Sequence, residues 1–143
     1  MTTLTTYLEM LTEEIRERTR DAAVVEVAGA GLDYEIRVRP VADGPCPFIV
    51  HLESDEEITI EFGALSVAHF ASDDREAVAD SCRSTVVDLL AGAVTESVWS
   101  RNGTPCRAEA RIGTGPEAIT VSTRDGLCLG ARRREVAYTP YRT

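Results

Sequence analysis

The residues of this sequence that could act in catalysis are its two histidines and its 24 acidic side chains. A catalytic histidine needs a nucleophile or a carboxylate within hydrogen-bond reach. Neither His51 nor His69 belongs to a G-x-S-x-G, an H-E-x-x-H or a P-loop motif. Alternation places His51 on the outward side of a strand, and His69 precedes Phe70 in a predicted loop. We therefore predict no catalytic residue and a protein that is not an enzyme.

Four cysteines could bind a metal or form disulfides: Cys46, Cys82, Cys106 and Cys128, at separations of 36, 24 and 22 residues. No C-x-x-C pair occurs, so the spacing predicts neither a zinc knuckle nor a thioredoxin-like motif. A zinc site with His51 or His69 would need scattered positions. Two disulfides would be expected in an exported protein. Because free cysteine packs as a small apolar residue, we predict reduced, structural cysteines.

Clustered carboxylates could bind a divalent cation through oxygen atoms. Asp55-Glu56-Glu57 and Asp73-Asp74 offer such oxygens, but without EF-hand spacing. Nothing distinguishes Glu57 and Glu61 from other acids as a glycosidase pair. Gly29-Ala30-Gly31 precedes a strand, which predicts a turn and not a dinucleotide-binding loop. We predict no metal and no cofactor.

Two helices are predicted to support these residues. The first covers residues 3–20, because a helical stripe contains Leu4, Leu8, Leu11 and Ile15. The second covers residues 73–91 and ends at Gly92, a common position for glycine after a helix. Its candidate capping residues are Ser72, Asp73 and Asp74.

Strands are predicted before and after the second helix. Alternating apolar and polar residues over 23–63 indicate a meander of three or four strands. Strands 94–100 and 106–112 flank Asn102-Gly103, a strong hairpin signal. Strands 118–123 and 127–131 form a second predicted hairpin, which residues 132–138 could extend. In this region Trp99 is expected in hairpin packing or as an interface anchor.

These elements predict a single α+β domain over residues 1–143. Its antiparallel sheet has about seven or eight strands in two meanders, and two helices pack on one face of it. The predicted element order is α-β-β-β(-β)-α-β-β-β-β.

The charge is divided unevenly along the chain, whose net charge is −9. Residues 53–80 contain nine acids and one arginine, whereas residues 101–143 contain eight arginines and four acids. An acidic surface accelerates association with a basic partner. Solvated turns and a helix N-terminus would also explain the acids. The candidate partner-binding residues are Glu53, Asp55, Glu56, Glu57, Glu61, His69, Asp73, Asp74 and Trp99.

One stretch resembles a known family. It contains Glu57-Ile58-Thr59-Ile60-Glu61-Phe62-Gly63, then Ala68-His69-Phe70, an acid-capped helix ending in Leu89-Leu90-Ala91-Gly92, and Ser97-Val98-Trp99-Ser100-Arg101-Asn102-Gly103. These segments, within about residues 57–103, resemble small bacterial immunity-type proteins of polymorphic toxin systems. The resemblance implies a non-enzymatic protein that binds and neutralises a toxin, often a basic nuclease.

We therefore predict a protein-binding module that inhibits a basic partner protein, such as a toxin, through an acidic surface. The alternatives are a small acidic secretion-type chaperone, which would dimerise, and a small-molecule-binding or enzymatic domain with a pocket between helices and sheet. A homodimer is compatible with the sequence. A sequence pI near 4.7 argues against nucleic-acid binding. Because no secretory signal or membrane-spanning apolar segment is recognisable, we expect a cytoplasmic protein.

Overall fold

The computed structural model describes residues 2–142, so Met1 and Thr143 of the predicted domain lie outside the described residues. Within them, two α-helices accompany nine strands. The helices are α1 (Leu4–Thr19) and α2 (Arg75–Leu90). The strands are β1 (Ala23–Ala28), β2 (Glu35–Pro40), β3 (Phe48–Ser54), β4 (Glu57–Phe62), β5 (Ser66–Ala71), β6 (Val94–Arg101), β7 (Thr104–Ile112), β8 (Ile119–Arg124) and β9 (Arg132–Ala137).

Both helices begin and end where the sequence predicts. The Asp74 side chain caps α2 by accepting hydrogen bonds from the backbone N–H groups of Glu76 and Ala77. Just after α2, Gly92 has a φ of +73°, and a Cβ there would lie 2.6 Å from the Pro140 nitrogen. This position therefore requires glycine both for its backbone conformation and for the close approach of the C-terminal segment.

The first five strands form one antiparallel meander, here called sheet A, in the order β1-β2-β3-β4-β5. The predicted alternation is confirmed: Ile36, Val50 and Ile60 are fully buried on the inner face. The fifth strand was not predicted, and His69 lies within it rather than in a loop. Its residues Ser66–Ala71 are mostly small, so their alternation is weak, and their pairing with β4 determines the strand.

The remaining strands form sheet B, in the order β8-β7-β6-β9. The predicted hairpin across Arg124-Asp125-Gly126 is wrong, because residues 125–131 form no strand. They carry the chain from β8 at one edge of the sheet to the opposite edge. There β9 pairs with the free edge of β6, with Ser100 opposite Arg132. The Asn102-Gly103 hairpin between β6 and β7 is confirmed, and both of its residues have positive φ values.

One hydrophobic core includes both helices and the inner faces of both sheets. Leu4, Leu8 and Ile15 of α1 are buried in it. Helix α2 contacts β4 and β5 of sheet A and β7 of sheet B, while α1 packs on α2 and β1. The predicted α+β class and element order are therefore confirmed, with the strands divided between two sheets.

The prediction of four reduced cysteines is wrong for one pair, because Cys106 and Cys128 form a disulfide. The spacing of cysteines does not determine their connectivity. Cys46 and Cys82 are free and buried, as predicted. Burial raises the pKa of each of these two thiols to about 12, so both are neutral at physiological pH.

No helix within residues 2–142 is both long enough and apolar enough to cross a membrane. The predicted cytoplasmic location stays a prediction.

Candidate partner-binding surfaces

Acidic residues from two separate segments meet at one corner of the molecule. The β3–β4 turn lies beside the N-terminus of α2, where the Arg75 guanidinium forms an ion pair with the Asp55 carboxylate. Arg75 Nε also donates to the Asp55 carbonyl oxygen at 3.1 Å. The backbone N–H of Ser72 donates to the Glu56 carbonyl at 3.4 Å. We call residues 53–57 together with 73–76 the acidic corner.

The acidic corner continues onto the outer face of sheet A, where histidines alternate with carboxylates. His51 on β3 lies between two of them: Nδ1 is 2.9 Å from Glu35 and Nε2 is 2.7 Å from Glu61. On the next strands, His69 Nε2 is 3.1 Å from Glu57. These five residues, from β2 to β5, are called the Glu–His face.

The Glu–His face is open to solvent on β4 and β5, whereas Glu35 on β2 is only 17% exposed and is also paired with Arg37. The side chains of Glu57, Glu61 and His69 are 45%, 53% and 54% exposed. The helices pack on the opposite, apolar face of the sheet. A partner could therefore contact these carboxylates without moving any element of the fold.

The histidines of this face are in contact with carboxylates. Both ring nitrogens of His51 already contact carboxylates. No group of three or more histidine, cysteine or acidic side chains in the described chain could hold a metal ion. The available chemistry is a row of anionic oxygens held by neighbouring histidines.

Most of the predicted partner-binding residues therefore lie together. Glu57, Glu61 and His69 belong to the Glu–His face. The acidic corner contains Glu53, Asp55, Glu56, Asp73 and Asp74. Sequence reasoning assigned His51 no role and did not select Glu35. Alternation indicated that both point outward, but it could not show that strand pairing places them side by side.

Trp99 is the predicted site residue that lies elsewhere, on the outer face of sheet B. The guanidinium carbons of Arg107 and Arg133, from the strands on either side, lie 4.4 and 5.7 Å from its ring centroid. Such cation–π contacts fix the ring against its own sheet. Trp99 therefore belongs to a separate, basic surface.

A buried carboxylate, Glu96, connects the two sheets. It lies on the apolar side of β6 and is fully buried. One carboxylate oxygen accepts from the backbone N–H of Ala64 at 2.9 Å and from the Tyr138 hydroxyl at 2.7 Å. The other accepts from the backbone N–H of Leu65 at 3.2 Å and from the Ser66 hydroxyl at 2.7 Å. Four donors thus compensate the burial of this carboxylate.

Two neighbours of Glu96 make its burial possible: Gly63 leaves space for the carboxylate, and Tyr138 donates a hydrogen bond to it. A Cβ at Gly63 would collide with its carboxylate, and Gly63 has a φ of +66°. Burial and the hydrogen bond to Glu96 raise the pKa of the Tyr138 hydroxyl, which keeps it protonated as a donor. The sequence contained a signal that was not used: Glu96 occupies the same side of its strand as Val94 and Val98.

Cavities bear on the predicted small-molecule alternative. The space between α1 and α2, beside Leu8 and Cys82, is about 180 Å³, smaller than ordinary ligand pockets. A larger open cleft of about 720 Å³ lies between the outer face of sheet A and the end of β8. Two arginines that line it are paired: Arg37 with Glu35 at 2.5 Å, and Arg39 with Glu26 at 2.7 Å.

Comparison of the chain with protein-family models, with curated proteins and with solved structures found no match. The resemblance to immunity-type proteins therefore stays a hypothesis that rests on the quoted residues.

Proposed function

We propose that this protein is a non-enzymatic binding module of the immunity type, which uses the acidic corner and the Glu–His face to bind a basic partner protein. The observation that carries the proposal is the joining of acids from β4, the β3–β4 turn and the start of α2 into one uncovered surface. Solvated turns alone would not require acids from separate segments to meet.

The proposed mechanism is occlusion. A basic partner that acts on a phosphate-containing substrate binds it with arginines and lysines. The carboxylates of Glu56, Glu57 and Glu61 would occupy those sites and exclude the substrate. Because surface charges act over about 10 Å at moderate salt, they also accelerate the encounter.

The histidine contacts support this mechanism by limiting motion. A free glutamate side chain loses rotamer freedom when it binds, and that loss weakens association. His51 and His69 hold three of the carboxylates in fixed positions before binding. The surface is therefore organised in advance for a partner with a fixed set of cations.

The test compares two charge reversals of equal size. The face variant carries Glu56→Arg, Glu57→Arg and Glu61→Arg. The control carries Glu9→Arg, Glu13→Arg and Glu17→Arg on the exposed side of α1. The wild type, the control and the face variant are each used to capture proteins from lysate. A partner that the wild type and the control retain, and that the face variant loses, is purified. Its association rate with each of the three proteins is then measured.

We expect the face variant to slow association at least about tenfold, with the wild-type rate falling as salt rises. Equal rates for the two variants would contradict the proposal. Two alternatives predict other results. A secretion-type chaperone would be a dimer in sedimentation, and a small-molecule-binding or enzymatic domain would bind its ligand in a pocket between helices and sheet.

A further inference from the structure

A second, oppositely charged site lies at the end of sheet B. An open cleft of about 700 Å³ is bounded by the β6–β7 turn, the start of β9 and the end of the crossover segment 125–131. Four arginines line it and no acidic residue does: Arg101, Arg132, Arg133 and Arg134. We call it the arginine cleft.

Strand pairing and the disulfide together build the arginine cleft. Arg132 lies opposite Ser100 and Arg134 opposite Val98, so both lie on the same face of the sheet as buried Cys106. The disulfide ties Cys128 to Cys106 and holds the crossover segment against this end of the sheet. Leu129 and Gly130 of that segment line the cleft.

The arginines of the cleft are poorly neutralised. Arg133 points to the opposite face of the sheet from Arg132 and Arg134, and there its guanidinium lies 5.7 Å from the Trp99 ring centroid and donates to the Ser97 hydroxyl at 2.9 Å. The charge of the cleft therefore comes from the other three arginines. Within residues 2–142, Arg101, Arg132 and Arg134 form no ion pair with a carboxylate. In the cleft beside sheet A, by contrast, Arg37 and Arg39 are each paired with a glutamate. Like charges gathered around one open space repel one another, and a bound anion would relieve that repulsion.

We propose that the arginine cleft binds a small anion carrying two or more phosphate groups. The planar guanidinium donates two parallel hydrogen bonds to a phosphate, and several guanidiniums together suit a ligand with several phosphates. The volume lies in the range of ordinary small-ligand sites. This site is separate from the acidic surface and does not depend on the proposed partner.

The charge distribution favours a small anion over nucleic acid. A long polyanion would extend beyond the cleft over a molecule whose net charge is −9. The acidic parts of the protein would repel the polyanion along the length that leaves the cleft, whereas a small ligand lies within the basic end. The proposal is therefore a compact polyphosphate ligand.

The test is titration calorimetry with inorganic tripolyphosphate at constant ionic strength. Three proteins are compared: the wild type, R132A/R134A, and the control R16A/R18A, whose arginines lie on α1 and are paired with Glu13 and Glu14. We expect the double cleft variant to raise the dissociation constant at least about tenfold, and the control to change it less than about twofold. Equal weakening in both variants, or no binding to the wild type, would overturn the proposal.

Two further measurements separate the alternatives. Thermal unfolding without ligand checks that R132A/R134A is folded, and Arg134→Gln replaces it if it is not. Added tripolyphosphate should raise the melting temperature of the wild type and of the control but not of the cleft variant. Tighter binding of a single-stranded oligonucleotide than of tripolyphosphate, lost in the same variant, would replace the small-anion assignment with a nucleic-acid site.

Discussion

The outer face of sheet A and the open end of sheet B carry opposite charges, and they differ in whether these charges are paired. On sheet A the side chains are paired with one another, as His51 is with Glu35 and Glu61. At the arginine cleft, Arg101, Arg132 and Arg134 line one open space, and among the described residues they form no ion pair with a carboxylate. Paired charges are held in fixed positions, whereas unpaired charges of one sign attract a counter-ion.

Each prediction below tests one contact within these regions or in the structure that connects them. Glu96 links sheet A to sheet B, the disulfide supports the arginine cleft, Trp99 belongs to the outer face of sheet B, and Arg83 links the two helices.

The largest effect is expected at Glu96. Replacement by alanine removes the acceptor for four donors, two of them from the β4–β5 turn, and leaves these donors buried. We expect Glu96→Ala to lower the free energy of unfolding by about 3–5 kcal/mol, measured by urea denaturation.

The matched control is Glu109→Ala, on the neighbouring strand, whose side chain is 41% exposed and paired with Arg107. Glu109→Ala should lower the free energy of unfolding by less than about 1 kcal/mol. A Glu96→Ala variant as stable as this control would show that the two sheets do not depend on the buried carboxylate.

The second effect concerns the disulfide between Cys106 and Cys128. Its reduction should lower the free energy of unfolding by about 2–4 kcal/mol, because the unfolded chain gains freedom. The measurement is denaturation with and without reductant. C106A/C128A serves as the control, since reductant should leave that variant unchanged.

Thiol labelling provides an independent check of the same pairing. Denatured, unreduced protein should show two reactive thiols. The native protein should show none, since Cys46 and Cys82 are buried with pKa values near 12. Four reactive thiols in the denatured, unreduced protein would contradict the disulfide.

A smaller effect is expected at Trp99. Trp99→Ala should lower the free energy of unfolding by about 1 kcal/mol, because the cation–π contacts of the ring with Arg107 and Arg133 are lost. Trp99→Phe should retain part of this energy. Association with the basic partner should stay unchanged, because Trp99 lies outside the Glu–His face. Slower association would return Trp99 to the partner-binding surface.

The smallest effect is expected for the ion pair between Glu14 and Arg83, whose side chains are 26% and 55% exposed. The hydrogen bond from Arg83 lowers the pKa of Glu14 below its usual value, although partial burial opposes this. A carboxylate with a lowered folded-state pKa stabilises the protein above its unfolded pKa, and this stabilisation disappears as pH falls.

Arg83→Ala should therefore reduce the free energy of unfolding by less than about 1 kcal/mol near neutral pH. The difference from the wild type should vanish as the pH falls below about 4, as pH-dependent urea denaturation would show. Arg16→Ala, at a more exposed pair, is the control. A difference that grows on acidification would contradict the sign of the argument.

Local patterns were sufficient for most elements of the fold. Helical spacing of leucines defined α1, and Asp74 with Gly92 defined the limits of α2. Period-two alternation gave β2, β3 and β4 with their buried faces. These signals depend on neighbours a few residues away, so they can be read without the tertiary structure.

Elements that depend on pairing with a distant part of the chain could not be predicted from local patterns. β5 has weak alternation and exists through its pairing with β4. β9 pairs with β6, about 30 residues earlier along the chain. The same limit applies to the disulfide, since four cysteines allow three ways to form two disulfides.

By itself, the sequence determined the α+β class, the two helices, the outward direction of the polar residues on β2, β3 and β4, and the division into an acidic and a basic part. Only the tertiary structure decided which charges meet: Glu35 with His51 and Glu61, Glu96 with the β4–β5 turn, and the arginines of β9 with the β6–β7 turn. The reason is physical. Direction along a strand follows from local backbone geometry, whereas contact between strands depends on register and sheet order, which the whole core determines.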